Sequence, residues 1–368
     1  MPTSPAAGES SLPSFSASPA LPSSDPYSTS PPINLVTVYK NFAAHAGISH
    51  IGLGVAAANT AKVLRQAGIR CTVQPIAAPA DIRTIPARFP GLTHRVISAP
   101  WIPTAIVAQF LADSPEVQLA INCHSNVGFL QADTNAVALI RDYMAIERSA
   151  HNFTLAGNST RFCQWIEECF AVTCQFLPNL YYLDRLSGSP RPPYRSGTLR
   201  IGMFGAVRPL KNMMTGAAAA LEIARSLREP LELWMCSGRA EGGGQTVLSA
   251  IQAMYKNLPG VTLLENPWAP WPQFRQRVAN MHILLQPSTS ESFNMVTADG
   301  IAEGVATVVS EAITWAPPHW KASIDDALDV ARVGRALLFD PKAPADGMAA
   351  LRGYVAQGVV AWKGWLQA

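Results

Sequence analysis

Two carboxylates stand eight residues apart in the stretch PSTSESFNMVTADGIAEGVATVVS, Pro287 to Ser310: Glu291 and Asp299, with Phe293 and Asn294 between them. Acidic residues at that spacing are either solvated charges on a helix or grips on a hydroxylated ligand. Both oxygens of a carboxylate accept hydrogen bonds, so one group can hold a vicinal diol. About 80 residues earlier the segment FGAVRPLKN, Phe204 to Asn212, places Arg208 and Lys211 in a loop that contains Gly205. Cations there would suit a departing diphosphate. Read singly, each is an ordinary solvated surface charge; their position at a strand end favours the functional reading.

The chemistry depends on where these residues fall. The strand HILLQ ends at Pro287, and STSES turns into a helix expected to begin near Phe293. Ligands of open α/β folds bind outside the carboxyl ends of strands, which puts Glu291 at such a mouth. The amides of Phe293, Asn294 and Met295 then become first-turn donors that no helical carbonyl satisfies, and the helix dipole favours an anion there, such as a pyrophosphate. Asp299, about one and a half turns into the helix, could accept from a ribose, and Glu291 from a hexose on the other side of the phosphates.

Around these motifs the pattern alternates. An apolar β-branched run, INLVTVY from Ile33, reads as a buried strand. A helical pattern over Gly52–Ala67 follows, then the strands RCTVQPI and VQLAINCH, a helix over roughly Asn135–Arg148, and FTLAGNS as strand and turn. A second series starts at LRIGMFG and continues through KNMMTGAAAALEIARSL, LELWMC, a helix over Thr246–Asn257, VTLLE, WPQFRQRVANM, HILLQPS and ATVVS. Strands alternating with helices predict parallel sheets built from right-handed βαβ units. The expected organisation is an α/β chain of two Rossmann-like, doubly wound domains facing a cleft, over 33–185 and 199–340. The Pro- and Gly-rich linker 186–198 joins them, and a helical segment, 341–368, ends the chain.

GLGVAA supplies Gly52, Gly54 and Ala57 in a G-x-G-x-x-A pattern. A dinucleotide site needs this motif directly after the first strand and an acidic residue ending the second. Here 12 residues separate Tyr39 from Gly52, and the second strand ends without Asp or Glu. What remains is either a phosphate- or acceptor-facing loop at a helix start, or glycines required for packing.

Composition bounds the class. The 368 residues are 48% hydrophobic and only 14% charged, enough for a large core. Residues 1–32 are Ser/Pro-rich and nearly uncharged, and read as a disordered tail. That tail has neither a basic nor an apolar region of the secretory kind, and no uninterrupted apolar run of 18 residues follows, so no membrane span is expected. Six cysteines without a C-x-x-C pair favour a reduced, cytoplasmic protein. A net charge of +3 is too small to argue for nucleic acid.

The stretch around Glu291 resembles the signature of family 4 glycosyltransferases, in which PS-x-x-E-G-F-G is followed by a second acidic residue, A-M-A, and a glycine before P-V-V. FGAVRPLKN is similar to that family's G-R-x-x-x-x-K-[GN] loop. The resemblance covers the second half throughout and the first half in outline. It implies the GT-B fold and sugar transfer from a nucleotide-sugar donor, UDP- or GDP-linked, with anomeric retention and with neither catalytic metal nor separate cofactor. By resemblance Glu291 binds the donor sugar, Asp299 the ribose, and Lys211, assisted by Arg208, the diphosphate. Gly205, Gly238 in SGRAEGG, Ser292, Phe293, Asn294 and Met295 line the donor side, and ENPWAPW frames the nucleobase. His124 in INCHS resembles a strand-end histidine that approaches the transferred sugar, although a lone histidine there is commonly structural. Gly47, Gly52 and Gly54 correspond to a phosphate- and acceptor-facing loop. Three positions depart from the pattern: Asp299 replaces Glu, Asn294 replaces Gly, and Ala206 replaces Arg, with Arg208 two positions on as the substitute charge. The acceptor stays open between a small molecule, a glycan or lipid, and a hydroxylated DNA base. So does the state, monomer or dimer, and a degenerate protein that only binds a partner is the rival class.

Overall fold

The computed structural model describes residues 32–41, 51–131, 133–184 and 194–368. Residues 1–31 of the expected disordered tail, Gly47 and residues 186–193 of the expected linker lie outside the described residues.

Two parallel sheets form from the two sequence halves. The first contains β1 (Asn34–Lys40), β2 (Arg70–Ile76), β3 (His94–Ser98), β4 (Gln118–Cys123), β5 (Phe153–Gly157) and the two-residue β6 (Gln175–Phe176), in the order β2-β1-β3-β4-β5-β6. The second contains β7 (Leu199–Met203), β8 (Leu231–Cys236), β9 (Val261–Asn266), β10 (Ile283–Gln286) and β11 (Thr307–Val309), in the order β11-β10-β7-β8-β9. Every pairing is parallel, for instance Leu35 with Cys71 and Ile121 with Leu155. Helices cover both faces, so central strands bury both sides and read as continuous apolar runs rather than alternating ones. Leu35, Val36 and Val38 of β1 are all fully buried.

Strand β3 was not expected, nor were the helices Thr104–Asp113 and Thr160–Phe170. HRVIS carries His94 and Arg95, which argue against a central strand. Arg95 is nevertheless fully buried, donating to the Ile82 carbonyl at 2.7 Å and lying 4.1 Å from the Phe110 ring centre. VQLAINCH is therefore the fourth strand of its sheet, not the third. The glycine pattern also moves: Gly52 and Gly54 lie inside the helix Ile51–Gln66, not in a loop before it.

The halves are tied together by the chain that leaves β6 and by the last helix. Leu177, Leu180 and Tyr181 are fully buried, so this crossing belongs to the core. The helix Ala343–Leu366 follows the second sheet but returns to the first. There Trp362 donates to the Pro178 carbonyl at 2.9 Å, and Trp365 donates to Thr154 of β5 at 3.1 Å while contacting the His94 ring edge-on. No helix among the described residues is long and apolar enough to cross a membrane.

Candidate active site

In each sheet the strand order reverses beside the first strand, and loops at such a switch point diverge to leave a crevice at the carboxyl ends. In the second sheet that place lies between β7 and β10. The loop after β7 carries Gly205, Ala206, Arg208 and Lys211; the turn after β10 carries Glu291 to Asn294. Together with Cys236, Arg239, Trp268 and Trp271 they form one wall of a cavity of about 320 Å³, and Gly52, Leu53, Val55, Ala56, His124, Asn158 and Asn179 of the first half form the other.

Lys211 and Glu291 meet directly. Their side chains are 10% and 9% exposed, and the Lys211 ammonium donates to Glu291 Oε1. Burial draws the ammonium below its usual range, with Glu291 opposing the shift. Burial alone would raise the Glu291 carboxyl, but Lys211 and Arg208 outweigh it and hold the group ionised. The two residues expected to grip different parts of a ligand are thus partners of each other.

A second cluster is assembled by backbone pairing. The amide of Val207 donates to the Arg239 carbonyl and that of Glu241 to the Val207 carbonyl, each at 2.9 Å, so the loops after β7 and β8 zip together. Glu241 lies 3.6 Å from Arg208 and pairs with Arg239. Arg208 stacks 5.0 Å from the Phe129 ring of the first half, and Arg239 stacks 5.2 Å from Trp268. Sequence reasoning missed Arg239; its signal was the SGRAEGG turn at the end of β8, of which only Gly238 was named. Gly238 itself is not on the cavity wall. A Cβ there would lie 2.9 Å from the Trp268 amide nitrogen, so its role is close packing of two loops.

The helix expected near Phe293 begins at Met295. Phe293 is 1% exposed and its ring stacks on Trp315 at 5.2 Å, which makes its side chain core. Asn294 is the N-cap, its side chain accepting from the Thr297 amide at 2.9 Å. The first-turn donors left over by the helix are therefore those of Met295 and Val296. Asn294 adopts φ +66°, a region open to glycine and next to asparagine, which accounts for the departure from glycine at this position.

Asp299 lies in the cavity wall but is already engaged. Its Oδ1 accepts from Tyr181 Oη at 2.7 Å and from Trp271 Nε1 at 2.9 Å. Burial raises its pKa to about 7 despite these bonds and nearby Arg275, with Glu303 adding to the rise. Behind it the fully buried Arg275 pairs with Asp184 and Glu303, each at 2.5 Å. Across the cavity, burial lowers His124 to about 4, so its imidazole is neutral. Ser292 Oγ donates to the His124 carbonyl at 3.0 Å, and Asn126 donates to the Glu291 carbonyl, which stitches the two turns together across the cleft. Gly52 lines the cavity with open space before it, whereas Gly54 packs against the Tyr39 ring.

No family model matches the sequence, and no curated protein matches it. Solved structures do match in shape. A UDP-forming α,α-trehalose-phosphate synthase from Burkholderia xenovorans aligns over 91% of this chain and 99% of its own, with a TM-score of 0.63 at 11% identity. Sucrose-phosphate synthase from Thermosynechococcus elongatus aligns over 91% and 98%, with a TM-score of 0.63 at 14% identity. The pneumococcal O-GlcNAc transferase GtfA, in complex with UDP and GlcNAc, aligns over 78% and 59%, with a TM-score of 0.52 at 14% identity. At such identities the likeness is one of fold: two Rossmann-like halves around a cleft, the GT-B architecture.

Proposed function

We propose that this protein is a glycosyltransferase that moves a sugar from a nucleotide-sugar donor to a hydroxyl acceptor, with retention at the anomeric carbon and without a catalytic metal. The observation that carries the reading is a set of unanswered donors around one cavity. Among the described residues Arg208 Nε, Arg239 Nε and Trp268 Nε1 are buried without a hydrogen-bond partner, and so is the side-chain amide of Asn158 opposite them. Buried polar atoms are normally satisfied, so such a cluster points to an absent polar ligand. Two guanidinium groups beside Lys211 match an anionic one.

In this reading Lys211, Arg208 and Arg239 hold the diphosphate, Asp299 the ribose, and Trp268 and Trp271 frame the base. The sugar lies between Glu291 and His124. The bond between the anomeric carbon and the diphosphate oxygen breaks as the acceptor oxygen bonds to that carbon on the same face. The acceptor proton passes to the departing phosphate oxygen, releasing a nucleoside diphosphate. Negative charge grows on the leaving group, so the fixed cations stabilise the transition state more than the ground state. His124, being neutral, contributes a hydrogen bond rather than a charge. A uridine donor is favoured because one of the neighbouring synthases is UDP-forming and GtfA was solved with UDP. Six free cysteines fit work in the cytoplasm.

The test is a panel of UDP- and GDP-sugars against mixed acceptors with EDTA present, read by mass spectrometry for glycosylated product and released nucleoside diphosphate. The expected result is transfer by the wild type and none by Glu291→Ala. No turnover by the wild type across the panel, or near-normal turnover by Glu291→Ala, would overturn the reading.

A further inference from the structure

The Glu291 carboxylate is aimed by a side chain whose backbone position does not require it. Asn294 sits at φ +66° and ψ 87°, a conformation glycine supplies without any side chain. The amide nevertheless makes three bonds: Oδ1 accepts from the Thr297 amide at 2.9 Å, and Nδ2 donates to Glu291 Oε1 and to Gln286 Oε1, each at 3.1 Å. Its orientation is forced. A backbone N–H can only donate, so the Asn294 oxygen must face Thr297 and the NH₂ must face the other way. Gln286 is fixed by the opposite logic: its Nε2 donates to the Phe204 carbonyl at 3.0 Å, which can only accept, so its oxygen is left for Asn294. Gln286 and Asn294 are 3% and 5% exposed, so water does not substitute for these bonds.

A directed chain therefore runs from the Phe204 carbonyl through Gln286 and Asn294 to Glu291 Oε1, where Lys211 Nζ arrives from the other side. Phe204 immediately precedes Gly205, the start of the cationic loop. We propose that Asn294 is a positioning residue that turns Glu291 Oε1 toward Lys211, registers the carboxylate against the cationic loop, and so presents the other carboxylate oxygen to the donor sugar. The proposal rests on the reading of Glu291 as a sugar-binding group.

Two variants separate aim from fold. Asn294→Gly keeps the backbone conformation and removes the amide. Asn294→Asp keeps the cap, because aspartate caps as well as asparagine, but turns an oxygen toward Glu291 Oε1. Two carboxylates in contact share one proton, and one of them titrates upward. The charged and titratable groups facing Glu291 are Lys211 and Arg208 from the loop after β7, Glu241 behind Arg208, and His124 across the cleft. With UDP-glucose and UDP-N-acetylglucosamine as probes, kcat/KM for UDP release should fall roughly 10- to 100-fold in both variants at pH 8, the loss of one hydrogen bond to a charged group. The fall should sit in kcat, and only Asn294→Asp should recover as the pH is lowered toward 6.

An activity-independent readout is the side-chain carboxyl resonance of Glu291 in ¹³C-glutamate protein, identified by its loss in Glu291→Gln. Its titration midpoint should rise by about one pH unit or more in Asn294→Asp. Wild-type kcat/KM in both variants overturns the proposal whatever the titration shows. If the wild type turns over neither probe, the transferase reading has failed for them, and an unmoved Glu291 titration then overturns the positioning by itself.

Discussion

Lys211 and Glu291 face each other almost without water, so their contributions to stability should be strongly non-additive. Removing one member of a buried pair leaves the other charge desolvated, at a cost of about 3–5 kcal/mol. For Lys211→Met the lower end, about 3 kcal/mol, is expected, because Asn294 still donates to Glu291 and Arg208 still attracts it. Glu291→Leu should cost less, about 2 kcal/mol. Burial already draws the Lys211 ammonium down and Glu291 is the leading influence opposing that, so without Glu291 the ammonium is drawn down further and releases its proton more readily. The double variant Lys211→Met/Glu291→Leu carries no stranded charge and should lie within about 1 kcal/mol of the wild type. Urea melts at pH 7.5 followed by tryptophan fluorescence give the cycle, with an expected coupling of roughly 4–5 kcal/mol. Nucleotide-sugar turnover should be absent from all three variants, so stability returns in the double variant without activity. A double variant as unstable as the sum of the singles, with coupling below about 0.5 kcal/mol, would refute the argument.

Asp299→Asn should be stabilising in a pH-dependent way. The folded pKa of about 7 stands above the ordinary aspartate value of 3.8, so the protonated acid favours folding below about pH 4 and that advantage is lost as pH rises through 7. The variant's gain over the wild type should therefore grow by about 3 kcal/mol between pH 5 and pH 8 in urea melts, and a gain independent of pH would contradict the assignment. Gly238→Ala should destabilise by about 1–3 kcal/mol, because its methyl group meets the Trp268 backbone. Gly52→Ala meets open space inside a helix and should leave stability unchanged or raise it by up to about 1 kcal/mol; thermal melts of the two side by side decide this. Trp362→Ala should lower stability by about 3–5 kcal/mol, since Trp362 is 2% exposed and hydrogen-bonded to Pro178; a change under 1 kcal/mol would show that the last helix does not hold the first half.

Much of this arrangement could be read from residue order. The second half alternates strand and helix with clear apolar runs, and its strands fall where the pattern puts them, which also set Lys211 and Glu291 at neighbouring strand ends. The first half was harder because its decisive elements carry polar residues. Arg95 makes β3 look like a loop until the Phe110 ring and the Ile82 carbonyl are seen around it. What no linear pattern carries is which groups satisfy one another. The Lys211–Glu291 pair joins residues 80 positions apart, and Tyr181 reaches Asp299 from 118 positions away, in the stretch that leaves β6. Arg239 was missed because it reaches the cavity only when the two loops pair through Val207. Nor does a linear pattern show that Asp299, standing where the resembling family has Glu, is held by Tyr181 and Trp271.

The return of the last helix to the first sheet has a consequence for synthesis. Leu35, Ala61, Leu64, Val96, Ala120 and Ala156 share one cluster with Trp362, Trp365 and Leu366. A ribosome delivers the first group long before the second, and domains ordinarily consolidate in order of emergence. Here the leading half leaves that face uncovered until Trp362, Trp365 and Leu366 have emerged. Loss of Trp362, Trp365 and Leu366 would therefore strike first at the half made earliest, not at the half that carries Glu291.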